Sequence, residues 1–191
     1  MIYYATQETM DRYKLKRPHE MSPGIKELCE QIIEKEQGNS LYEWGVKLFY
    51  FDRRKCLQIV HFLTKMTVFL IDFKVNEIEN AANAVAQYLF YLYEPDRKMK
   101  KALERYFASS PFVTFEKLTN RSIATTLNQT QRNFAFDGYR FYDFIENGIL
   151  QTKKINRAVA EYPRMMKVDG KTEYIIPKDY FKEVIMEKFG E

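Results

Sequence analysis

Several residue types that mark specialised protein classes are scarce in this sequence. Seven glycines and six prolines in 191 residues argue against disorder and low complexity. The two cysteines, Cys29 and Cys56, are too few for a disulfide framework or a four-thiolate zinc site. A mixed zinc site would also need His19 and His61, at spacings that match no zinc motif. We therefore expect reduced thiols and no bound metal.

Long apolar runs are also missing. No stretch reaches the roughly 18 apolar residues of a membrane span. The first residues, MIYYATQETMDRYK, lack the basic segment and the apolar segment of a signal peptide. These features predict a cytoplasmic protein that does not engage a membrane.

Apolar and aromatic residues are plentiful. The sequence is 46% hydrophobic and 16% aromatic, with fifteen Phe and fourteen Tyr, which is enough to bury the core of a single domain. The formal net charge is only +4, and the sequence pI is about 8.8. Such a mild basic excess falls short of that of a dedicated DNA-binding domain.

The most apolar region predicts an antiparallel β-meander over about residues 43–73. Its three strands, Glu43 to Phe51, Lys55 to Phe62 and Met66 to Phe73, are rich in β-branched and aromatic residues. Both faces of the first strand carry large apolar residues, so we expect that strand to be covered on both sides. The predicted class is α+β.

Helices are predicted around the meander from apolar residues at helical spacing and from capping residues. They cover about residues 7–14, 23–37, 76–93, 97–107, 120–134, 152–161 and 177–189. Asn76 and Glu79 resemble a capping pair, and either Thr119 or Asn120 caps the fifth helix. Asp169-Gly170 is the strongest hairpin signal. We expect a main domain at 1–165, with the hairpin and helix of 166–191 packed on it.

Two segments carry a family resemblance. The segments WGVKLFYFDRRKC (44–56) and LTNRSIATTLN (118–128) resemble the signature segments of a bacterial domain family known as domain of unknown function number 6933, and ATQ (5–7) is similar too. The resemblance covers about residues 1–160 and implies a fold but little chemistry. The family's motif positions correspond to Trp44, Arg53, Arg54, Lys55, Cys56, Arg121, Ser122 and Asn128. Residues after about 165 are expected to be specific to this lineage.

Three adjacent cations form the first candidate site. Arg53, Arg54 and Lys55 at a hairpin tip could grip phosphate or carboxylate groups, because arginine offers a bidentate fork. They could equally form a solvated turn that protects strand edges and pairs with an acid such as Asp52. Successive residues of a strand point to opposite faces. We therefore do not expect Arg53 and Arg54 to contact the same ligand.

The start of the fifth helix is the second candidate. Arg121 and Ser122 lie at a helix N-terminus, where free N–H groups favour anions. No acidic residue occurs between Lys117 and Phe136, and Asn128 adds a hydrogen-bonding group. In the alternative interpretation, the helix is simply capped, Arg121 buttresses the hairpin, and Asn128 satisfies buried backbone.

Arg132 and Arg140 are interleaved with aromatic residues between 134 and 144, a pattern that can stack on single-stranded bases or form a protein contact. An aromatic core is the alternative. Basic clusters at 97–105 and 153–157 are typical of solvated helix faces, and they would track phosphates only if they converge.

No catalytic motif is present. Cys56 and His61 lie five residues apart on one predicted strand, so they face opposite sides and cannot form a dyad. We therefore name no catalytic residue and no cofactor.

Our first functional hypothesis is a non-enzymatic binding or inhibitor protein of bacterial or phage origin. The resemblance also leads us to expect an origin on phages or mobile elements, which would suit an anti-CRISPR protein. The expected partner is a host or phage protein. One candidate is a CRISPR effector with its guide RNA, whose channel contacts phosphates. One alternative is a metal-dependent nuclease or hydrolase that uses an unrecognised carboxylate cluster. Another is an antitoxin or accessory protein.

Overall fold

The computed structural model describes residues 1–168 and 170–190, without the side chains of residues 167 and 168. Its helices are α1 (Gln7–Tyr13), α2 (Pro23–Glu36), α3 (Ala81–Leu92), α4 (Arg97–Ser109), α5 (Arg121–Phe136), α6 (Thr152–Glu161) and α7 (Pro177–Phe189). Its strands are β1 (Ile2–Ala5), β2 (Glu43–Phe51), β3 (Arg54–His61), β4 (Thr67–Ile71), β5 (Thr114–Lys117), β6 (Ile145–Glu146), β7 (Ile149–Leu150), β8 (Arg164–Val168) and β9 (Lys171–Ile175). Short 3₁₀ turns occur at Pro18–Glu20, Val75–Asn80 and Phe141–Phe144.

A five-stranded mixed sheet organises the fold. Its strand order is β4-β3-β2-β1-β5. The antiparallel meander β2-β3-β4 is confirmed, with Trp44 opposite His61 and Leu57 opposite Leu70. The strands β1 and β5 extend it as parallel neighbours on the far side of β2. Parallel pairing needs a crossover, and the α1–α2 segment and the helices after β4 provide it. The α+β class is confirmed.

Both faces of β2 are buried, as its sequence predicts. On the first face, Trp44, Val46 and Leu48 join the main hydrophobic core. The helices α1, α3, α4 and α7 complete this core through Tyr13, Val85, Leu89, Met99, Leu103, Tyr106, Phe181 and Ile185. Because Phe181 and Ile185 are fully buried there, the C-terminal helix belongs to the same core as the meander.

The second face of the sheet is covered mainly by α5 and α6. Near the start of α5, Ile123 and Leu127 pack on Val60 and Phe62. Near its end, Phe134 joins the cluster of Phe49, Cys56 and Phe69 that also includes Ile155 and Val159 of α6. A Cβ at Gly45 would lie 2.4 Å from Cγ2 of Ile123. The missing side chain at Gly45 therefore lets α5 approach β2 closely.

One side chain covers part of the β4 edge of the sheet. The Asn156 amide accepts a hydrogen bond from the Phe69 N–H (2.6 Å) and donates one to the Phe69 carbonyl (2.9 Å). In this way Asn156 of α6 takes the place of a neighbouring strand at one position of β4. Unpaired edges invite association with other chains, and covering them is a common protection.

Several boundaries differ from the sequence prediction. The prediction that Asn76 and Glu79 form a capping pair is wrong. A 3₁₀ turn capped by Lys74 and Glu77 comes first, and α3 begins only at Ala81. The aromatic and β-branched residues of 112–115 also favour a short strand, which lies instead at Thr114–Lys117. The helix shift occurs in a short polar segment, which allows a competing local turn.

Other local signals are confirmed. Asp96 caps α4, and Asn120, rather than Thr119, caps α5 through a hydrogen bond from the Ile123 N–H (3.1 Å). The hairpin β8–β9 forms around Gly170, whose φ is +81°. Asp169 lies outside the described residues. In the described part of the chain, no helix is long and apolar enough to cross a membrane.

His61 is a buried structural residue. Its Nε2 lies 2.9 Å from the Leu41 carbonyl, and its Nδ1 lies 2.9 Å from Oγ1 of Thr64. Since a carbonyl only accepts, Nε2 carries the proton and Nδ1 accepts from Thr64. Burial lowers the pKa of His61 to about 4. His61 and Cys56 face opposite sides of the sheet, as alternation predicts.

The β2–β3 hairpin contains a core residue, Leu48, and a residue of an exposed ion pair, Arg54. Mutations at these two positions should affect stability differently. Leu48→Ala should lower the free energy of unfolding by about 2–5 kcal/mol, because it leaves a cavity in the main core. Arg54→Ala should cost less than about 1 kcal/mol, since it removes only an exposed ion pair with Asp72. Urea unfolding followed by circular dichroism measures both, and comparable losses would contradict this division.

His61 should make stability depend on pH. Its folded-state pKa lies below the ordinary value of 6.5, so the unfolded chain binds the extra proton first. The contribution of neutral His61 is complete above pH 6.5 and decreases as the pH falls towards 4, by up to about 3 kcal/mol. Urea unfolding at pH 7 and pH 5 should show a smaller difference for His61→Gln than for the original protein. Equal differences would contradict this account.

Candidate functional site

The three cations of the β2–β3 tip diverge. The two-residue turn, Asp52-Arg53, has positive φ at both positions (48° and 62°), as in a type I′ turn. Arg54 is paired with Asp72, and the Lys55 ammonium lies 4.2 Å from the centre of the Tyr13 ring. Of the three cations, only Arg53 is exposed. The tip therefore does not present three cations to one ligand.

Two other predicted site residues have structural partners. Asn128 Oδ1 accepts a hydrogen bond from Lys47 Nζ at 2.7 Å, which links α5 to β2. Arg140 donates to the carbonyls of Ala135 (3.2 Å) and Tyr139 (2.9 Å), at the end of α5. This position suits a cation, because a helix C-terminus carries partial negative charge.

Most of the aromatic run is core. Phe134 and Phe141 are buried, and Tyr139 stacks on Phe134 with ring centres 4.3 Å apart. Phe136 and Tyr142 are exposed. The run thus mainly anchors the segment after α5 to the sheet.

The helix α5 carries three stripes of side chains. At about 100° per residue, the buried stripe contains Ile123, Leu127, Thr130 and Phe134. A second stripe, beside it, is polar and contains Ser122, Thr125, Thr126, Gln129 and Asn133. Arg121 and Arg132 point outward and are exposed. Since α5 is about 24 Å long, Arg121 and Ser122 lie far from the β2–β3 tip, which contacts the segment after the end of α5.

The polar stripe of α5 forms one wall of a cleft of about 700 Å³, which we call the α5 cleft. The opposite wall consists of the hairpin β8–β9 and the residues before it. Its lining residues are Tyr162, Pro163, Arg164, Met165, Met166 and Tyr174. Lys65, from the β3–β4 turn, completes the cleft. Among the lining residues that the structure describes, there is no aspartate or glutamate.

Arg164 is the most unusual group in the cleft. It is only 8% exposed, and its Nε is buried without a hydrogen-bond partner in the described residues. Its guanidinium lies 5.1 Å from the centre of the Tyr162 ring. Burial lowers the pKa of Arg164 to about 10, so the group is still charged at neutral pH. A buried cation is costly unless an anion or several acceptors compensate it.

Lys65 is the second cation of the cleft. Its backbone is left-handed, with φ 59°, and its Nζ donates to the Phe62 carbonyl at 2.7 Å. Burial lowers the pKa of Lys65 to about 8. The hydrogen bond between His61 and Thr64 orders the same turn. The buried histidine therefore helps to position the lysine.

Hydrogen-bond donors remain available on the α5 wall. Thr125 and Thr126 donate their hydroxyl hydrogens to the helix carbonyls of Arg121 and Ser122. In the ranges 1–168 and 170–190, no hydrogen bond involves the Ser122 hydroxyl or the side-chain amides of Gln129 and Asn133. Ser122 is the second residue of α5, so its own N–H lacks an intrahelical partner. The wall can thus donate to an anion.

Tyr162 anchors the hairpin to the end of α5. Its hydroxyl donates to the Asp137 carboxylate, and its ring meets Tyr139 edge to face. Burial raises the pKa of Tyr162 to about 12, and the Asp137 carboxylate adds to this effect. The ring is therefore neutral and offers its face to Arg164.

Of the eight predicted site residues, only Ser122 lines the cleft. The acid-free stretch from 117 to 136 includes α5, which forms one wall of the cleft. Lys65, Tyr162, Arg164 and Tyr174 were missed, because each is an ordinary residue in its own local sequence. These residues come together only in the folded protein, where they line one cleft.

The other basic clusters lie elsewhere. Lys153 Nζ lies 4.4 Å, and Arg157 Cζ 5.7 Å, from the centre of the Tyr91 ring. Lys154 pairs with Glu146, and Arg105 donates to the Phe189 carbonyl. None of these cations lines the α5 cleft.

The groups considered for catalysis are held in the core. Burial raises the pKa of the Cys56 thiol to about 12, so it is not a ready nucleophile. Within the described part of the chain, no three His, Cys, Asp or Glu residues come together in a way that could hold a metal ion.

The environment of Lys65 predicts an unusual titration. In the protein without ligand, its ammonium should lose its proton with a midpoint near pH 8, and a bound anion should raise that midpoint. Side-chain NMR of ¹³C-labelled lysine, assigned with Lys65→Arg, measures it. A midpoint near 10.4, the ordinary lysine value, would contradict the desolvated position described here.

No curated protein matches this chain. A family model described as a domain of unknown function, DUF6933, matches residues 2–180. The match extends well beyond residue 165, so the expectation that the terminal hairpin is specific to this lineage was wrong. Both walls of the α5 cleft lie within the matched region. The chain therefore belongs to the DUF6933 family.

Proposed function

We propose that this protein is a binding protein that takes an anionic, phosphate-bearing ligand in the α5 cleft. The observation that carries the proposal is Arg164, a buried cation for which the described residues provide no carboxylate. A bound anion would supply the missing charge and accept the hydrogen bonds of the guanidinium.

The surroundings of Arg164 support the same ligand class. Lys65 adds a second cation that is also partly removed from water. The first turn of α5 contributes the Ser122 hydroxyl and free backbone N–H groups, a common arrangement for anions. Since the described lining contains no acid, nothing there would repel a phosphate. The volume of the α5 cleft, about 700 Å³, also falls within the usual range for small-molecule sites.

The lining favours binding over catalysis. General acid–base chemistry typically uses histidine or carboxylate groups with pKa values near neutrality. Among the lining residues described above, the only group with such a pKa is Lys65, which donates to a backbone carbonyl. The hypothesis of a metal-dependent nuclease or hydrolase is supported by no cluster of ligands in the described residues.

A more specific proposal is an inhibitor of bacterial or phage origin, acting in the cytoplasm on a nucleoprotein such as a CRISPR effector with its guide RNA. A phosphate-binding cleft would suit the RNA component of such a partner. The exposed Arg121 and Arg132 would add contacts that weaken with salt. An antitoxin or accessory role would use the same surface. Pull-down from the host, with and without nuclease treatment, distinguishes RNA-mediated from protein-mediated partners.

Pyrophosphate is a suitable probe of the cleft. Isothermal titration at low ionic strength should detect its binding to the original protein. Arg164→Met should weaken that binding at least about tenfold, because a hydrogen bond to a charged group contributes about 1.5–3 kcal/mol. The Met side chain matches the arginine chain as far as Nε, and replacing a buried ion by an apolar group often preserves stability.

Arg53→Met is the matched control. It removes one arginine charge from an exposed position at the β2–β3 tip, outside the cleft. Pyrophosphate affinity should be unchanged in this variant, and thermal unfolding should show both variants folded. The proposal fails if pyrophosphate does not bind, or if the two variants lose affinity equally.

A further inference from the structure

We infer that the ligand of the α5 cleft is a nucleotide, whose base stacks on the Met165–Tyr174 surface of the hairpin while its phosphate meets Arg164 and Lys65. This inference rests on the proposed anion-binding function and adds the chemical class of the ligand. The nucleotide is either free or part of a single strand.

The hairpin wall offers a stacking surface. Met165 and Tyr174 are opposite each other in the β8–β9 register, so their side chains stand on the same face. Both line the cleft, yet they are 64% and 80% exposed. An aromatic ring and a polarizable thioether left uncovered beside each other suit a flat, unsaturated ring. Base–aromatic stacking accepts any base.

The opposite wall offers groups that suit a base edge. Gln129 and Asn133 are four residues apart on α5 and therefore lie on one face. Each amide has both donors and acceptors. An ionised phosphate donates no hydrogen bond to the amide acceptors. The edge of a nucleobase, in contrast, has donors as well as acceptors. The two amides face the cleft without another hydrogen-bond partner in the described residues.

The two cations line the same cleft and define where a phosphate would sit. Arg164 immediately precedes Met165 at the start of β8, and Lys65 completes the lining. The volume of about 700 Å³ is far more than one phosphate needs and is suitable for a ligand with a base and a sugar. A stacking surface, base-edge amides and cations in one cleft match the parts of a nucleotide.

The outward face of α5 shows how a single strand could continue past the cleft. Arg121 and Arg132 are exposed there, about 16 Å apart along the helix. No acidic residue lies between Lys117 and Phe136. Backbone phosphates of neighbouring nucleotides could contact these arginines, whereas a free nucleotide would not reach them.

The test compares three probes on the same protein: pyrophosphate, a nucleoside 5′-monophosphate and a single-stranded RNA of about ten nucleotides. Tyr174→Ala should weaken binding of the monophosphate and the RNA by about 5- to 100-fold, the usual effect of losing one stacking ring. Pyrophosphate binding should not change. Tyr50→Ala is the matched control, because Tyr50 is an exposed tyrosine of β2 outside the cleft.

Arg132→Gln separates the two sources of the nucleotide. If the ligand is a strand, this variant should weaken RNA binding and lower the slope of log affinity against log salt by about one. Monophosphate binding should stay the same. If RNA binds no more tightly than the monophosphate and Arg132→Gln has no effect, the ligand is a free nucleotide.

The outcomes for the inference and for the proposed function are distinct. If pyrophosphate binds through Arg164 but the monophosphate binds no more tightly, or Tyr174→Ala leaves its affinity unchanged, the nucleotide inference is wrong and the anion-binding function stands. If none of the three probes binds, both are wrong.

Discussion

The burial of β2 on both faces is the constraint on which the rest of the structure depends. A strand at the centre of a sheet with large apolar groups on each side must be covered by two layers. The first face takes Trp44 and Leu48 into the main core. The second face is apolar at its ends but polar in the middle, where Lys47 and Gln58 lie. The helix α5 suits this face, because Asn128 and Gln131 bond to those two side chains.

The helix α5 connects the core to the candidate site. Its buried stripe holds it on the sheet, and the absence of a side chain at Gly45 sets how closely it lies. Once that stripe is placed, the helical period decides where every other residue of α5 points. The polar stripe then faces the hairpin β8–β9, and the arginines of the third stripe face outward. The residues that hold α5 on the sheet are thus different from those that line the candidate site.

The cleft combines two features that folding alone does not favour. Arg164 is a buried charge with an unsatisfied nitrogen, and Lys65 is a lysine whose pKa is lowered by burial. Groups with perturbed pKa values that converge in a cleft are more common at functional sites than elsewhere. The family match through residue 180 includes the hairpin that carries Arg164. The cleft therefore belongs to the domain that defines the family.

Sequence patterns alone predict the meander, the helix α5, the β8–β9 hairpin and the opposite orientations of Cys56 and His61. These depend on periodicity and on turn and capping residues, which are local properties. The packing of distant elements brings Arg54 to Asp72 and Asn128 to Lys47. It also places Ser122 in one cleft with Lys65 and Arg164. The sequence pattern gives the direction of a side chain within its own element. Which side chains meet depends on how distant elements pack, and no local pattern contains that information.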